Sequence, residues 1–297
     1  MREVKPEWVA ADWGTSHLRV WAMRGSEVLA SADAPDGMGK LARDEFEPAL
    51  LRLIGDWIGD TPLPVIACGM VGARQGWQEA PYRMVPCAPV ATGETMKVDT
   101  RDPRIAVEIV PGLAQDAPAD VIRGEEVQIA GFLAETPDFD GVLIMPGTHS
   151  KRVRIADGKV LSFATAMTGE LFELLSTASV LRHGMTGDDW DDAAFQGGVR
   201  DGLAGVAFER LFPLRAQGLL HGLSAGAARA RLSGLLIGAE ARAIADCERV
   251  VLIGAAKLCA LYKTALEMAG KTVGVADGSR LVRNGLVALW QKGAAQK

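Results

Sequence analysis

The chain lacks the two commonest nucleotide-binding signatures. No G-x-x-x-x-G-K-[ST] occurs in its 297 residues, and no G-x-G-x-x-G stands between a strand and a helix. Any phosphate site must therefore be built from other loops. No H-E-x-x-H and no paired Cys/His set is present, so a zinc centre is not expected. The four cysteines (Cys68, Cys87, Cys247, Cys259) are far apart and form no C-x-x-C. In a chain this long they read as reduced, mostly buried thiols rather than a disulfide framework. The longest apolar runs are interrupted, as by Lys257 within Val250 to Leu261, so none reaches the roughly 20 residues that span a bilayer. Met1 to Glu7 is charged and has no apolar signal core. A cytoplasmic protein without a membrane partner is expected. The net charge of -5 lacks the basic excess of a general nucleic-acid binder, so no nucleic-acid partner is expected. A local basic pocket for an anion stays open. With 48% hydrophobic and 23% charged residues, the composition is that of a globular protein with one large or two medium domains.

What is present is an internal repeat. Asp12-Trp-Gly14-Thr15-Ser16-His-Leu-Arg19-Val20 reappears as Met145-Pro-Gly147-Thr148-His149-Ser150-Lys151-Arg152-Val153. Between positions 14 and 25, five of twelve residues match at an offset of 133. Each copy follows an apolar strand-like run and leads into an alternating strand and a tight turn, Arg24-Gly25 or Asp157-Gly158. Glycine and small hydroxyl residues let backbone N–H groups approach phosphate oxygens. The repeat therefore suggests two related halves whose loops face one cleft and grip a polyphosphate. Two ordinary Gly-rich hairpin entries, alike by chance, are the alternative.

The first half reads as strands at Trp8 to Asp12, Leu18 to Met23 and Val28 to Ala32, then a helix from Asp44, with Pro48 either in its first turn or delaying its start. Pro64 to Met70 and Ile105 to Val110 are further strands, and Gly124 to Ala134 a short helix. The second half repeats the order, with strands at Val142 to Met145, Arg152 to Ile155 and Val160 to Phe163. A long helix is expected from Thr168, as N-cap, to His183, with Gly184 as its stop. Helical stretches follow at Asp189 to Phe212 and Ala225 to Asp246. The end is strand, helix, strand, helix: Val250 to Ile253, Lys257 to Met268, Thr272 to Val275 and Ser279 to Gln291. Alternation of strands and helices implies an α/β protein, divided into 1–138 and 139–297.

Several residue sets can carry chemistry. Asp12 ends the first strand beside Gly14-Thr15 and could hold Mg²⁺, or simply cap a turn. The loop from Gly69 to Tyr82 is rich in recognition groups. Arg74 offers a fork for a carboxylate, Gln75 and Glu79 can read hydroxyls, and Trp77 or Tyr82 can wall a pocket. A surface loop with Arg74 in a salt bridge is the plainer reading. Glu125 and Glu126 open a helix after Arg123-Gly124, where the dipole alone favours acids. Either could instead accept a substrate proton. Lys151 could neutralise phosphate or be solvated, and His149 could carry a proton or hold its loop. Ile253-Gly254-Ala255-Ala256, between strand and helix, would let a flat group approach the backbone.

In this order the pieces resemble the sugar-kinase branch of the actin/hexokinase/Hsp70-like ATPase superfamily, and within it the 2-dehydro-3-deoxygalactonokinase family. The family-specific strings are Gly69 to Trp77 with Glu79 to Tyr82, Arg123 to Glu126, Pro146 to Lys151 and Met167 to Leu171. Ala73 and Arg152 depart from the family's serine and aromatic residue. The resemblance implies duplicated ribonuclease H-like domains, the actin-like ATPase fold, around a central cleft. It implies ATP, Mg²⁺ and phosphorylation of the 6-hydroxyl of 2-dehydro-3-deoxy-D-galactonate in galactonate catabolism. Asp12 would serve the metal. Gly14, Thr15, Ser16, Gly147, Thr148, Ser150 and Lys151 would serve the phosphates, and Gly254 and Ala255 the adenosine. Glu125 would be the base, with Glu126 in reserve. Arg74 would hold the sugar-acid carboxylate, with Arg123 as the other clamp. A kinase for another sugar acid such as 2-dehydro-3-deoxygluconate, a nonenzymatic actin-like ATP-binding protein and a phosphate-binding hydrolase are the rival readings. The assembly is left open, with a homodimer as one option.

Overall fold

In the computed structural model, residues 4–187, 189–244 and 249–295 are described. Strands β1 (Trp8–Trp13), β2 (Leu18–Arg24) and β3 (Glu27–Ala34) form an antiparallel meander. Its first strand is buried on both faces, as a central strand must be. Helix α1 (Phe46–Ile54) follows, then β4 (Leu63–Gly69), β5 (Tyr82–Met84), β6 (Met96–Lys97) and β7 (Ile105–Ile109). Next come β8 (Gly112–Asp116), β9 (Ala119–Ile122) and α2 (Glu125–Glu135). The main sheet runs β3-β2-β1-β4-β7-β6, with β4 parallel to both β1 and β7. The small sheet β5-β8-β9 and strand β6 add to the expected elements; runs this short carry little periodicity to read.

The later elements are β10 (Gly141–Met145), β11 (Ser150–Ala156), β12 (Lys159–Ala166), α3 (Thr168–Thr177), α4 (Asp192–Leu203), α5 (Leu211–His221) and α6 (Ala225–Arg242). They end with β13 (Arg249–Gly254), α7 (Ala256–Met268), β14 (Thr272–Asp277) and α8 (Gly278–Ala294). Their sheet runs β12-β11-β10-β13-β14, and β13 is parallel to both β10 and β14. Both sheets therefore share one plan: third, second and first strand of a meander, then two parallel strands. This duplicated ribonuclease H-like α/β order is the one expected.

Two compact units result. The first holds 1–139, 156–162 and 278–297, and the second holds 140–155 and 163–277. The sequence-based division gave 156–162 and the last helix to the second half; their packing assigns them to the first unit. Helix α8 lies against α2 so closely that a Cβ on Gly285 would sit 1.9 Å from the Val127 carbonyl oxygen. Trp290 stacks on Trp8 at 5.0 Å, and the Asn284 amide donates to Glu135 Oε1 at 2.6 Å. Cys87 and Val160 exchange backbone hydrogen bonds of 3.1 and 2.9 Å, which explains the 156–162 segment.

In the first unit, Phe46, Ala49, Leu50 and Ile54 of α1 cover one sheet face with Trp13 and Trp77. On the other face Trp8, Ile66 and Cys68 meet Val127 of α2 and Leu286 of α8. In the second unit, α4, α6 and α7 pack Phe195, Val199, Ile237 and Tyr262 against Ile144 and Leu252.

Three helices differ from expectation. The one beginning at Thr168 stops at Thr177, because the Ser179 hydroxyl bonds Leu175 O and accepts from Leu181 N, opening a tighter turn over Val180–Gly184. The stretch from Asp189 to Phe212 breaks after Leu203, where Gly205 takes φ 81. Helix α6 ends at Arg242, and Ala243 and Ile244 form a turn, short of the expected helix end; Asp246, like Cys247, lies outside the described residues. Cys68 and Cys259 are buried free thiols, and Cys87 is a half-buried one. Among the described residues no helix is long and apolar enough to cross a membrane.

Candidate active site

The first Gly-Thr loop joins β1 to β2 and is held by its own backbone. Gly14 N–H donates to His17 O at 2.9 Å, while Met38 and Gly39 donate to Gly14 O and Thr15 O, each at 2.9 Å. A Cβ on Gly37 would lie 2.3 Å from Ser16 N, so only glycine permits this brace. Thr15 and Ser16 stay exposed. Asp12, Gly14, Ser16, His17, Arg19 and Asp33 line a hollow of ≈ 340 Å³. Arg19 is the residue that sequence reading left out. It is Asp12's direct cross-strand partner and ion-pairs with its carboxylate. Its other amino group donates to Ser279 Oγ at 2.9 Å. Burial raises the Asp12 pKa, and the Arg19 charge works against that rise.

The acids of α2 stand close to this loop. Gly124, at φ 101, brings its position against Gly69, and a Cβ on Gly69 would lie 2.7 Å from Trp13 O. The ends of β1 and β4 and the start of α2 therefore converge. Glu125 and Glu126 each fold back onto the backbone before the helix: Arg123 N donates to Glu125 Oε2 at 3.0 Å and Gly124 N to Glu126 Oε2 at 2.6 Å. Glu125 is half-buried. Glu126 has no exposed surface, and its Oε1 is buried without a partner. Burial, then the Glu125 charge, pushes Glu126 up to about 8. The Cys68 thiol is raised well above its usual range by burial, then by the charges of Asp12 and Glu126.

The loop after β4 separates into exposed and interior residues. Arg74 is 83% exposed and only loosely paired with Glu79, at 3.8 Å; Gln75 is exposed too. Trp77 packs into the core, its ring 6.0 Å from Trp13 and 6.3 Å from Phe46, and it also lines a hollow of ≈ 370 Å³ with Arg43, Gln78 and Arg101. Tyr82 is exposed and carries the Arg123 guanidinium over its ring at 4.4 Å. Arg123 also donates to Ala80 O at 2.8 Å, while its Nε and Nη1 are buried without partners. Arg123 thus braces the loop from inside, and Arg74 is the guanidinium open to solvent.

In the second unit, Glu170 N donates to Thr148 O at 3.0 Å, and a Cβ on Gly169 would lie 2.5 Å from Gly147 O. The start of α3 thus braces the second Gly-Thr loop much as the 37–39 turn braces the first. Thr148 is exposed, and His149 Nε2 meets Glu170 Oε2 at 2.5 Å. Ser150 and Lys151 are buried; Lys151 Nζ donates to His149 O at 2.9 Å. The Ser150 hydroxyl donates to Glu240 Oε1 at 2.6 Å. Thr168, expected as an N-cap, donates instead to Glu240 Oε2 at 2.6 Å, and Met167 takes the cap position. Gly254 comes close to Pro146, 3.5 Å from its carbonyl oxygen to a built Cβ, and Ala255 is exposed beside it. A cavity of ≈ 490 Å³ opens here. Gly147 and Lys257 lie on its lining, with Phe172, Trp190 and Arg229 among the rest. Gly147, Thr168 and Gly169 on its lining fall in strings marked by the sequence, whereas the wall from α6 and α7 carried no motif.

A duplicated strand plan, each copy opening on a braced Gly-Thr hairpin, defines the class: a two-unit, ribonuclease H-like α/β fold. A model of the 2-keto-3-deoxy-galactonokinase family matches residues 12–289. The Escherichia coli (strain K12) 2-dehydro-3-deoxygalactonokinase is 33% identical over 94% of this chain and 96% of its own. A Rhizobium meliloti (strain 1021) protein, DgoK1, with that kinase as its probable assignment, is 41% identical over 95% of both chains. The solved structure of a Sinorhizobium meliloti protein assigned the same kinase name superposes with a TM-score of 0.90 at 39% identity, over 96% of this chain and 98% of that one. This chain belongs to the 2-keto-3-deoxy-galactonokinase family.

Proposed function

We propose that this protein transfers the γ-phosphoryl group of ATP to the 6-hydroxyl of 2-dehydro-3-deoxy-D-galactonate, as a step of galactonate catabolism. The observation that carries the reading is the Gly-Thr hairpin at the same topological position in both units of a chain from this kinase family.

Phosphoryl transfer asks for alignment and charge neutralisation more than covalent help. Backbone N–H groups at Thr15 and Ser16 and at Gly147 and Thr148 serve the phosphates, with Gly14 shaping the first turn, and their braces spare the cost of ordering those loops on binding. The cavity beside Gly147 suits the adenosine, with Gly254 and Ala255 leading into α7, whose Lys257 and Leu258 line it. The burial of Ser150 and Lys151 favours a supporting role for them beneath the loop rather than direct phosphate bonds. Glu125 keeps part of its surface open and is the group to accept the 6-hydroxyl proton; Glu126 lies sealed beneath it. Arg74 binds the sugar-acid carboxylate, with Gln75, Glu79 and Tyr82 for its hydroxyls.

Among the described residues no group of three or more His, Cys, Asp or Glu could hold a metal. Mg²⁺ commonly keeps several waters and binds through one or two carboxylates plus phosphate oxygens, and Asp12 beside the first loop fits that donor set. Bound there, Mg²⁺ would offset phosphate charge.

ADP release measured with a panel of sugar acids tests the reading. Release is expected with 2-dehydro-3-deoxygalactonate and to be far weaker with 2-dehydro-3-deoxygluconate or without an acceptor. Equal ATP consumption without any acceptor would overturn it in favour of a hydrolase.

A further inference from the structure

The Glu240 carboxylate receives three side-chain hydroxyls: Ser150 on Oε1 at 2.6 Å, Thr168 on Oε2 at 2.6 Å and Tyr262 on Oε2 at 2.7 Å. All three donors are buried. They come from three separate elements, β11, α3 and α7, while Glu240 sits near the end of α6. Burial, then the Glu240 charge, raises the Tyr262 pKa, so the phenol keeps its proton and donates it.

The geometry has a direction. Ser150 follows the second Gly-Thr loop, and Thr168 precedes the Gly169-Glu170 pair that braces that loop. Thr168 and Tyr262 also line the ≈ 490 Å³ cavity. One carboxylate therefore ties the loop, its brace and the cavity wall together. Hydrogen bonds to a charged acceptor are stronger than neutral ones, and a hydroxyl left buried without its acceptor is costly.

We infer that Glu240 is a positioning residue for nucleotide binding: it fixes the second Gly-Thr loop against α3 and the cavity wall before ATP arrives. It touches no reacting group. The inference rests on the proposed kinase reading, in which this loop and cavity receive the nucleotide.

The test is steady-state kinetics of Glu240→Ala and Glu240→Gln, with KM measured separately for ATP and for 2-dehydro-3-deoxygalactonate. Glu240→Ala is expected to raise KM for ATP about tenfold or more, from the loss of charge-assisted hydrogen bonds, and to leave KM for the sugar acid within about twofold. Glu240→Gln, which keeps the shape and can still meet the hydroxyls, is expected to fall between wild type and Glu240→Ala. A merely structural role would lower the active fraction, and so apparent kcat, while leaving both KM values unchanged; that result overturns the inference. Should Glu240→Ala fail to fold, Ser150→Ala removes the one hydroxyl adjoining the loop and is expected to raise KM for ATP in the same direction, with an unchanged value again contradicting. Wild-type protein without sugar-dependent ADP release would instead defeat the kinase reading itself.

Discussion

Asp12 and Arg19 face each other across the mouth of the first hairpin and are ion-paired, the carboxylate largely buried and the guanidinium partly open. The pair makes Asp12 dependent on its neighbour. Burial favours its neutral form, and Arg19 holds it towards the ionised form that a cation needs. Asp12→Asn is therefore expected to abolish turnover while the circular dichroism spectrum stays native. Arg19→Ala is expected to weaken the Mg²⁺ dependence as well, since an unpaired buried carboxylate takes up a proton. Near-normal turnover in Asp12→Asn would remove this residue from the metal site.

Glu125 and Glu126 are adjacent but differ in access, and this separates their predicted phenotypes. Glu125→Gln is expected to cut kcat by roughly 10²–10⁴-fold, the usual range for a positioned base, with little change in either KM. Glu126→Gln is expected to leave most of kcat in place. A reversed pattern would exchange the two roles.

Glu126 has a signature in stability. Its pKa stands at about 8 against an ordinary 4.5, so the folded protein holds a proton that the unfolded chain has released between those values. The stability from this group is fully present below its unfolded value and is lost as pH rises through about 8. Wild-type Tm is therefore expected to fall more steeply across that window than Tm of Glu126→Gln. Parallel profiles would contradict the assignment.

The two arginines are expected to part company. Arg74→Ala should raise KM for the sugar acid by about 10- to 100-fold, the range for losing a hydrogen-bonded charge, with Tm nearly unchanged because the side chain is exposed. Arg123→Ala should lower Tm, since its guanidinium braces Ala80 and stacks on Tyr82. A KM unmoved by Arg74→Ala would shift the clamp to Arg123.

Much of this architecture was legible in the sequence. The repeated Gly-Thr string marked both hairpins, because an apolar strand, a glycine loop and an alternating strand are local patterns. The α/β order followed from periodicity in the same way. Packing was not legible. Nothing in the string around Trp77 distinguishes a pocket wall from a core residue held by Trp13 and Phe46. Thr168 has the residue type of an N-cap, yet Glu240, far away in sequence, claims its hydroxyl. Helix α8 reads as the end of the second half until the Gly131 and Gly285 approaches seat it on α2. Arg19 was visible within the repeat, but its pairing with Asp12 depends on strand register. Such relations arise between distant segments, so they surface only once the chain is folded.

The most direct measurement is the structure of the product. Protein, ATP, Mg²⁺ and 2-dehydro-3-deoxy-D-galactonate are incubated together, and the product is examined by mass spectrometry and phosphorus–proton NMR. The account predicts one added phosphoryl group, attached to the oxygen on carbon 6, with one ADP formed per product. Phosphate on another oxygen, or ADP formed while the sugar acid stays unmodified, would contradict it.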